Sequence, residues 1–192
     1  MLFGHAPIEP AELLQIITSQ VPARARSGSD PDWTKAAKEV LCELGKERGF
    51  RIYASIHLGA EKHQEWLLDV VWYSSGSSGI RLAVESEWGK EEHVLDDFEK
   101  IMCTKSPVKL MLFSSGETLH AEQRLVKKLR EYLADFDQNV KDEIYLLVDF
   151  TGGGHQCYEF RVPRNGKLKE SEVSFSYIDR LSGPDVVSSG VV

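Results

Sequence analysis

Two different spacings of apolar residues alternate along this chain. Apolar residues three and four positions apart indicate a helix with one buried face, whereas alternation with a period of two indicates a strand. The spacing changes from helical to twofold after Gly49, a residue type that often ends a helix. The predicted helices are Pro10–Gln20, Trp33–Arg48, Glu91–Thr104 and His120–Phe136, and the predicted strands are Arg51–His57, Trp66–Tyr73, Ile80–Trp88, Val108–Ser114, Glu143–Thr151 and Tyr158–Val162.

The order of these elements predicts an α/β fold with a central mixed β-sheet flanked by helices. Three strands follow one another without an intervening helix, and short connections of this kind favour an antiparallel meander. The next strand is reached through the helix Glu91–Thr104, and a connection through a helix favours parallel pairing. The expected core is therefore a helix, three strands, a helix and a strand.

Two of the predicted strands contain carboxylates among apolar residues. Asp69 lies in the second strand, and Glu85 and Glu87 lie two positions apart in the third. Because side chains two apart share one face, the three acids converge on one patch if the strands are neighbours. A buried carboxylate needs a hydrogen bond, a cation or a metal, so a structural salt bridge or an exposed strand face is the alternative explanation.

Hard oxygen ligands of this kind suit a divalent cation, and Mg²⁺ or Mn²⁺ is the expected cofactor. Asp69, Glu85 and the backbone carbonyl of Ser86 form the predicted ligand set, which leaves positions for water and a phosphate oxygen. The chemistry that this set favours is metal-assisted hydrolysis of a phosphodiester. Scattered histidines and the absence of an HExxH pattern do not favour a zinc site.

Length and composition predict one folded domain with short additions. The chain has 192 residues and is 42% hydrophobic, which suffices for one core. We expect an N-terminal helix and linker at 1–31, a domain at 32–181 and a disordered tail at 182–192. No apolar stretch is long enough for a membrane span and no secretion signal is visible, so the expected location is cytoplasmic and no membrane partner is expected. Cys42, Cys103 and Cys157 lack a CxxC pair and are expected to be free thiols.

A net charge of −7 counts against a protein whose affinity comes from neutralising many phosphates. A basic face can nevertheless coexist with a negative total. The basic residues that could form such a face, unless they are separate solvated charges, are Lys127, Lys128, Arg130, Arg161, Arg164, Lys167 and Lys169.

The element order, with Asp69 on one strand and Glu85-Ser86-Glu87 on the next, resembles the PD-(D/E)xK nuclease superfamily of restriction endonucleases and Holliday-junction resolvases. The resemblance covers roughly residues 33 to 115. It implies a restriction endonuclease-like α-βββ-α-β core, with Asp69 as the first acid and Glu85 as the second.

This sequence departs from the family at Glu87, where the family usually has lysine. The triplet Glu85-Ser86-Glu87 is similar to a Glu-x-Glu variant, in which the last glutamate helps to activate water. Other members move the lysine to the following helix, where Lys100 is the candidate. The resemblance also implies an acid from the preceding helix, and Glu39 is the predicted additional metal ligand.

Two functions of different classes follow. The first is a metal-dependent nuclease that hydrolyses DNA, with Asp69, Glu85, Glu87 and Lys100 as catalytic residues. The second is a catalytically inactive nuclease-like domain that acts as an acidic protein-binding or inhibitor module. DNA is the expected partner of the first and a protein is the expected partner of the second, and a homodimer is compatible with both.

Overall fold

The computed structural model describes residues 7–25, 28–54, 67–74, 79–116, 119–151 and 154–163. The predicted tail and the basic residues Arg164, Lys167 and Lys169 lie outside the described residues. The helices are α1 (Pro10–Arg24), α2 (Asp30–Glu47), α3 (Glu91–Cys103) and α4 (Leu119–Asp135), and the strands are β1 (Arg51–Ala54), β2 (Val70–Tyr73), β3 (Ile80–Glu87), β4 (Val108–Phe113), β5 (Ile144–Thr151) and β6 (Gly154–Arg161).

The six strands form one sheet in the order β1-β2-β3-β4-β5-β6. The first three pair antiparallel, β3 pairs parallel with β4 across α3, β4 pairs parallel with β5 across α4, and β6 returns antiparallel. Connections through a helix thus give parallel pairs and direct connections give antiparallel pairs, as loop geometry requires. The predicted α/β fold with a mixed sheet flanked by helices is confirmed.

Helices cover both faces of the sheet. Alternate strand residues such as Leu82 and Val84 pack with the apolar faces of α1 and α2. Ala83, which lies between them, packs on the other face with residues of α3 and α4. Residues of both sheet faces are therefore buried, and a carboxylate in a central strand lies under a helix.

Several element boundaries differ from the prediction, and one of them concerns the site. Helix α1 continues through Pro22 to Arg24, and α2 begins at Asp30 with a proline in its first turn, where the missing N–H costs nothing. Strand β2 begins at Val70 instead of Trp66, and the side chain of Leu67 is 70% exposed. Asp69 is therefore the residue immediately before β2.

The three cysteines are unpaired, as predicted, with Cys42 and Cys157 buried and Cys103 exposed. Burial raises the pKa of Cys42 to about 11 and that of Cys157 to about 12, which keeps both as thiols at neutral pH. Within the described part of the chain, no helix has the length and apolar character that crossing a bilayer requires.

Candidate active site at Asp69 and Glu85

Asp69 and Glu85 lie opposite each other on neighbouring chain segments. Val70 of β2 pairs with Val84 of β3 in the antiparallel register. Asp69, which precedes Val70, therefore lies across from Glu85, which follows Val84. The backbone N–H of Asp69 donates a hydrogen bond to Glu85 Oε2 at 3.2 Å. The predicted adjacency of these two strands is therefore confirmed, and it places Asp69 across from Glu85. The Asp69 carboxylate is contacted by Lys38 of α2, and Glu85 is approached by Lys100 of α3 on the opposite face of the sheet.

The carboxylate of Asp69 is held by three donors on two elements. Its Oδ2 accepts hydrogen bonds from the backbone N–H of Ser86 at 3.0 Å and from the Ser86 hydroxyl at 2.6 Å. Its Oδ1 lies 2.9 Å from Nζ of Lys38, a residue of α2 that is only 5% exposed. These contacts fix the Asp69 side chain between β3 and α2.

Glu85 is the most perturbed acid of the site. Its side chain is 4% exposed, and burial raises its pKa to about 8, helped by the negative charges of Asp69 and Asp97. The buried Oε1 accepts no hydrogen bond from any residue that the structure describes. Since a buried acceptor without a partner is costly, this oxygen is a position where a cation or a donor from a ligand would be stabilising.

Lys100 approaches Glu85 from α3. Its Nζ lies 3.9 Å from Glu85 Oε1, which is an ion-pair distance, and 2.5 Å from Asp97 Oδ1. The hydrogen bond to Asp97 raises the pKa of Lys100, and the charges of Asp97 and Glu85 act in the same direction. Because its side chain is 40% exposed, Lys100 links the buried carboxyl to solvent.

The structure does not bring the other two predicted acids into this group. Glu87, at the end of β3, accepts a hydrogen bond on Oε1 from the backbone N–H of Gly89 at 2.6 Å. Glu39 lies 3.9 Å from Lys35 and lines a separate polar cleft of about 480 Å³ between α1 and α2. Among the described residues, no three His, Cys, Asp or Glu side chains are grouped in the manner of a metal site.

Lys38 is the site residue that sequence reasoning missed. It follows Ala36 and Ala37 and precedes Val40 and Leu41, all of them buried. A lysine on the apolar side of a helix is rarely buried without an anion, so its position was a signal that an acid lies opposite. The resemblance implies an acid at the next residue, Glu39, which lines the cleft together with Arg24 and Lys35.

Three of the four described members of the predicted basic face lie next to acids. Lys128 pairs with Glu91 of α3 at 2.5 Å, and Lys127 pairs with Glu131 at 3.6 Å. Arg161 pairs with its neighbour Glu159. Contacts of this kind are typical of separate, solvated surface charges, which was the alternative to a basic face.

Comparison with known proteins adds no family to this geometry: no protein-family model matches the chain, and no curated protein matches it. The geometry that bears on function is the arrangement of Asp69, Glu85, Lys38 and Lys100. This arrangement consists of two adjacent acids, each within ion-pair distance of a different lysine.

Proposed function

We propose that this chain is a metal-dependent nuclease that hydrolyses phosphodiester bonds in DNA, with a restriction endonuclease-like core and the active site at Asp69 and Glu85. The observation that carries the proposal is the buried Glu85 Oε1, which has no hydrogen-bond partner among the described residues. An acid that is 4% exposed and incompletely satisfied is more typical of a functional site than of a packing position.

The residues present fit a hard divalent cation. Glu85 Oε1 and the Asp69 carboxylate supply oxygen ligands on adjacent chain segments, and Mg²⁺ commonly takes one or two protein carboxylates while keeping several waters. The carbonyl of Ser86, the residue that follows Glu85, is the third proposed ligand. When bound, Mg²⁺ or Mn²⁺ would stabilise the charge that develops on the phosphoryl group and acidify water.

The two lysines have different proposed roles. Lys100 is partly exposed and lies near Glu85, so its ammonium would orient the attacking water or a phosphoryl oxygen. Asp97 holds Lys100 in place through its 2.5 Å contact. Lys38 is buried and pairs with Asp69, so it would fix the orientation of that carboxylate and would not touch the substrate.

Lys100 is better supported than Glu87 as the replacement for the usual lysine. Lys100 lies within ion-pair distance of Glu85, whereas Glu87 bonds to the backbone of its own turn. Glu87 nevertheless remains part of the proposal as the water-activating acid of a Glu-x-Glu variant. Glu39 remains the helix acid that the resemblance implies, although its contact with Lys35 does not favour that role.

The test combines metal binding and cleavage. Asp69→Asn and Glu85→Gln should each weaken Mn²⁺ binding, measured calorimetrically, and reduce Mg²⁺- or Mn²⁺-dependent cleavage of DNA by roughly 10²-fold or more. Glu131→Gln on α4 is the matched control, since that acid is 49% exposed and remote in sequence from the site.

Lys100→Ala should be damaging and Glu87→Gln nearly silent if Lys100 has the catalytic role. Wild-type protein that neither binds Mn²⁺ nor cleaves single-stranded, double-stranded or branched DNA would overturn the proposal.

The buried Lys38–Asp69 pair favours a second candidate function. An ammonium 2.9 Å from Asp69 already neutralises the first acid, as expected in a scaffold that has lost its metal. Such a domain would act as an acidic protein-binding or inhibitor module, consistent with the net charge of −7. It would bind a protein partner and would neither bind Mn²⁺ nor cleave DNA. A cytoplasmic location and a homodimer stay expectations under both functions.

A further inference from the structure

Three aromatic rings contact one another beside the candidate active site. Trp33 lies in the first turn of α2, Trp88 directly follows β3, and Phe150 lies near the end of β5. The ring centroids are 5.4 Å apart for Trp33 and Trp88, 5.1 Å for Trp33 and Phe150, and 5.8 Å for Trp88 and Phe150. We call Trp33, Trp88 and Phe150 the aromatic cluster.

The aromatic cluster is partly open and held in place. Phe150 is 7% exposed, whereas both indole rings are only partly buried against the core. The indole N–H of Trp88 donates a hydrogen bond to the Thr34 hydroxyl at 2.9 Å, which fixes the orientation of that ring. A rigid aromatic surface of this kind binds flat partners at a low entropic cost.

Helix α2 and the end of β3 connect the aromatic cluster to the acid site. Trp88 follows Glu85 by three residues, directly after the end of β3, with its side chain on the side of α2. On α2, Thr34 contacts Trp88, and Lys38 one turn later contacts Asp69. Residues one turn apart lie side by side on a helix, so the aromatic cluster and Asp69 are neighbours along this face of α2.

The charge of the protein limits which interactions can bind a nucleic acid here. A net charge of −7 disfavours affinity through many phosphate contacts. Stacking of a base on an aromatic ring does not depend on net charge and contributes substantially to binding of single strands. The bases of a duplex are already stacked on one another, so a single strand is the form whose bases can contact these rings.

We infer that the aromatic cluster is a stacking site for bases of single-stranded nucleic acid, placed beside Asp69 on the α2 side of the sheet. The inference rests on the proposed nuclease function and assigns its substrate class, a single strand or an unpaired segment. Trp33 and Trp88 supply the stacking surface. Lys35 lies two residues after Trp33 and is 67% exposed, which suits a contact with a neighbouring phosphate.

Binding is tested without catalysis, in EDTA, with a fluorescently labelled thymidine 20-mer and a 20-base-pair duplex. We expect the single strand to bind roughly 10-fold or more tightly than the duplex, and Trp33→Leu to weaken single-strand binding by roughly 10-fold, the scale of one lost base stack. Trp88→Leu should have a similar effect and Trp88→Phe a smaller one. Tyr132→Leu on α4, where the aromatic side chain is 37% exposed, is the control and should bind normally.

A readout on wild-type protein guards against variants that fail to fold. The thymidine 20-mer should quench tryptophan fluorescence and protect it from acrylamide, and the duplex should do neither. Equal affinity for both forms, or normal single-strand binding by folded Trp33→Leu, would overturn the stacking site and leave the metal site unaffected. Asp69→Asn separates the two proposals, because it should abolish cleavage while single-strand binding persists; loss of that binding in folded Asp69→Asn would contradict a separate stacking site.

Discussion

At the scale of single residues, the buried carboxyl of Glu85 makes stability depend on pH. Its pKa in the folded protein is about 8, above the ordinary value of 4.5, so the folded state binds this proton more strongly than the unfolded state. The associated stability is fully present below about pH 4.5 and is lost as the pH rises toward about 8. In EDTA, Glu85→Gln should remove this fall in stability. The measurement is the midpoint of urea unfolding, determined at several pH values between about 5 and 8.

An exposed acid on α3, the helix that carries Lys100, provides the control for that measurement. Glu92 lies on the surface in the first turn of α3, and Glu92→Gln should leave the pH profile of the wild type unchanged. A Glu85→Gln profile as steep as that of the wild type would show that Glu85 does not titrate in this range. Added Mn²⁺ should stabilise the wild type most at high pH, where the carboxyl is ionised.

The Lys38–Asp69 pair predicts a measurable loss of stability when its cation is removed. Lys38→Met removes the cation that contacts Asp69 Oδ1. Of the contacts described above, only the two Ser86 donors to Oδ2 then remain for this carboxylate, which is 20% exposed. The free energy of unfolding should fall by roughly 1–3 kcal/mol, the cost of an incompletely paired charged group. Urea denaturation measures the change, and Lys35→Met, at a 67% exposed position, should change it by less than about 0.5 kcal/mol.

A double-mutant cycle shows whether that loss comes from the pair. Lys38→Met combined with Asp69→Asn should be less destabilised than the sum of the single changes, because both members are removed together. Additive effects would mean that Lys38 stabilises the protein through packing alone.

The sequence predicted the neighbours of Glu85 better than those of Asp69. Lys100 was identified as the candidate lysine from the following helix, and it lies within ion-pair distance of Glu85. The buried residues around Lys38 indicate that its charge is paired, but helix periodicity does not identify Asp69 as its partner. The catalytic roles of Glu87 and Lys100 remain predictions, since a contact distance does not establish a chemical step.

At the scale of elements, a buried ion pair joins β4 to the residue before β5. Lys109 Nζ lies 3.0 Å from Glu143 Oε2 and donates to the Tyr145 hydroxyl at 2.8 Å and to the Met102 carbonyl at 3.2 Å. Lys109 and Glu143 are each 1% exposed, and burial lowers the pKa of Lys109. Lys109→Met would leave a buried carboxylate without its cation, so unfolding should become easier by about 3–5 kcal/mol.

Calorimetric melting measures this loss, and a second substitution tests its cause. Lys109→Met with Glu143→Gln should recover much of the stability, because it removes the charge left unpaired. If the double variant melts no higher than Lys109→Met alone, the loss comes from the packing of the lysine chain. Lys105→Met, an exposed change in the loop before β4, should leave the melting temperature near that of the wild type.

Element types were predictable because their periodicities are strong, whereas some boundaries depend on tertiary contacts. The pattern predicted a strand from Trp66, but Leu68 is buried in a bend and Leu67 is exposed, so alternation alone misplaced the start of β2. Pro22 indicated a linker, yet α1 continues past it because Val21 is fully buried on α2 and the sheet. Packing outweighs local propensity at both positions.

At the scale of the whole molecule, the antiparallel meander and the parallel fourth strand could be predicted, because the type of connection decides strand direction. The assignment of helices to faces could not, since it depends on which apolar surfaces meet in space. That assignment decides the site: α2 covers the face from which Lys38 reaches Asp69, and α3 covers the face from which Lys100 reaches Glu85. The two acids are thus each stabilised by a different helix layer.

The overall negative charge predicts how affinity for a single strand depends on salt. A single-strand complex that neutralises about two phosphates should lose only about sevenfold in affinity between about 50 and 200 mM salt, because the slope is roughly −0.7 per phosphate. Base stacking on Trp33 and Trp88 contributes the part that salt does not screen. Fluorescence anisotropy at several salt concentrations measures the slope. A loss of about 100-fold or more over this range would contradict the expectation, because it would indicate about five or more phosphate contacts. Basic residues that are now paired with acids would then have to exchange those acids for phosphate, namely Lys127, Lys128 and Arg161.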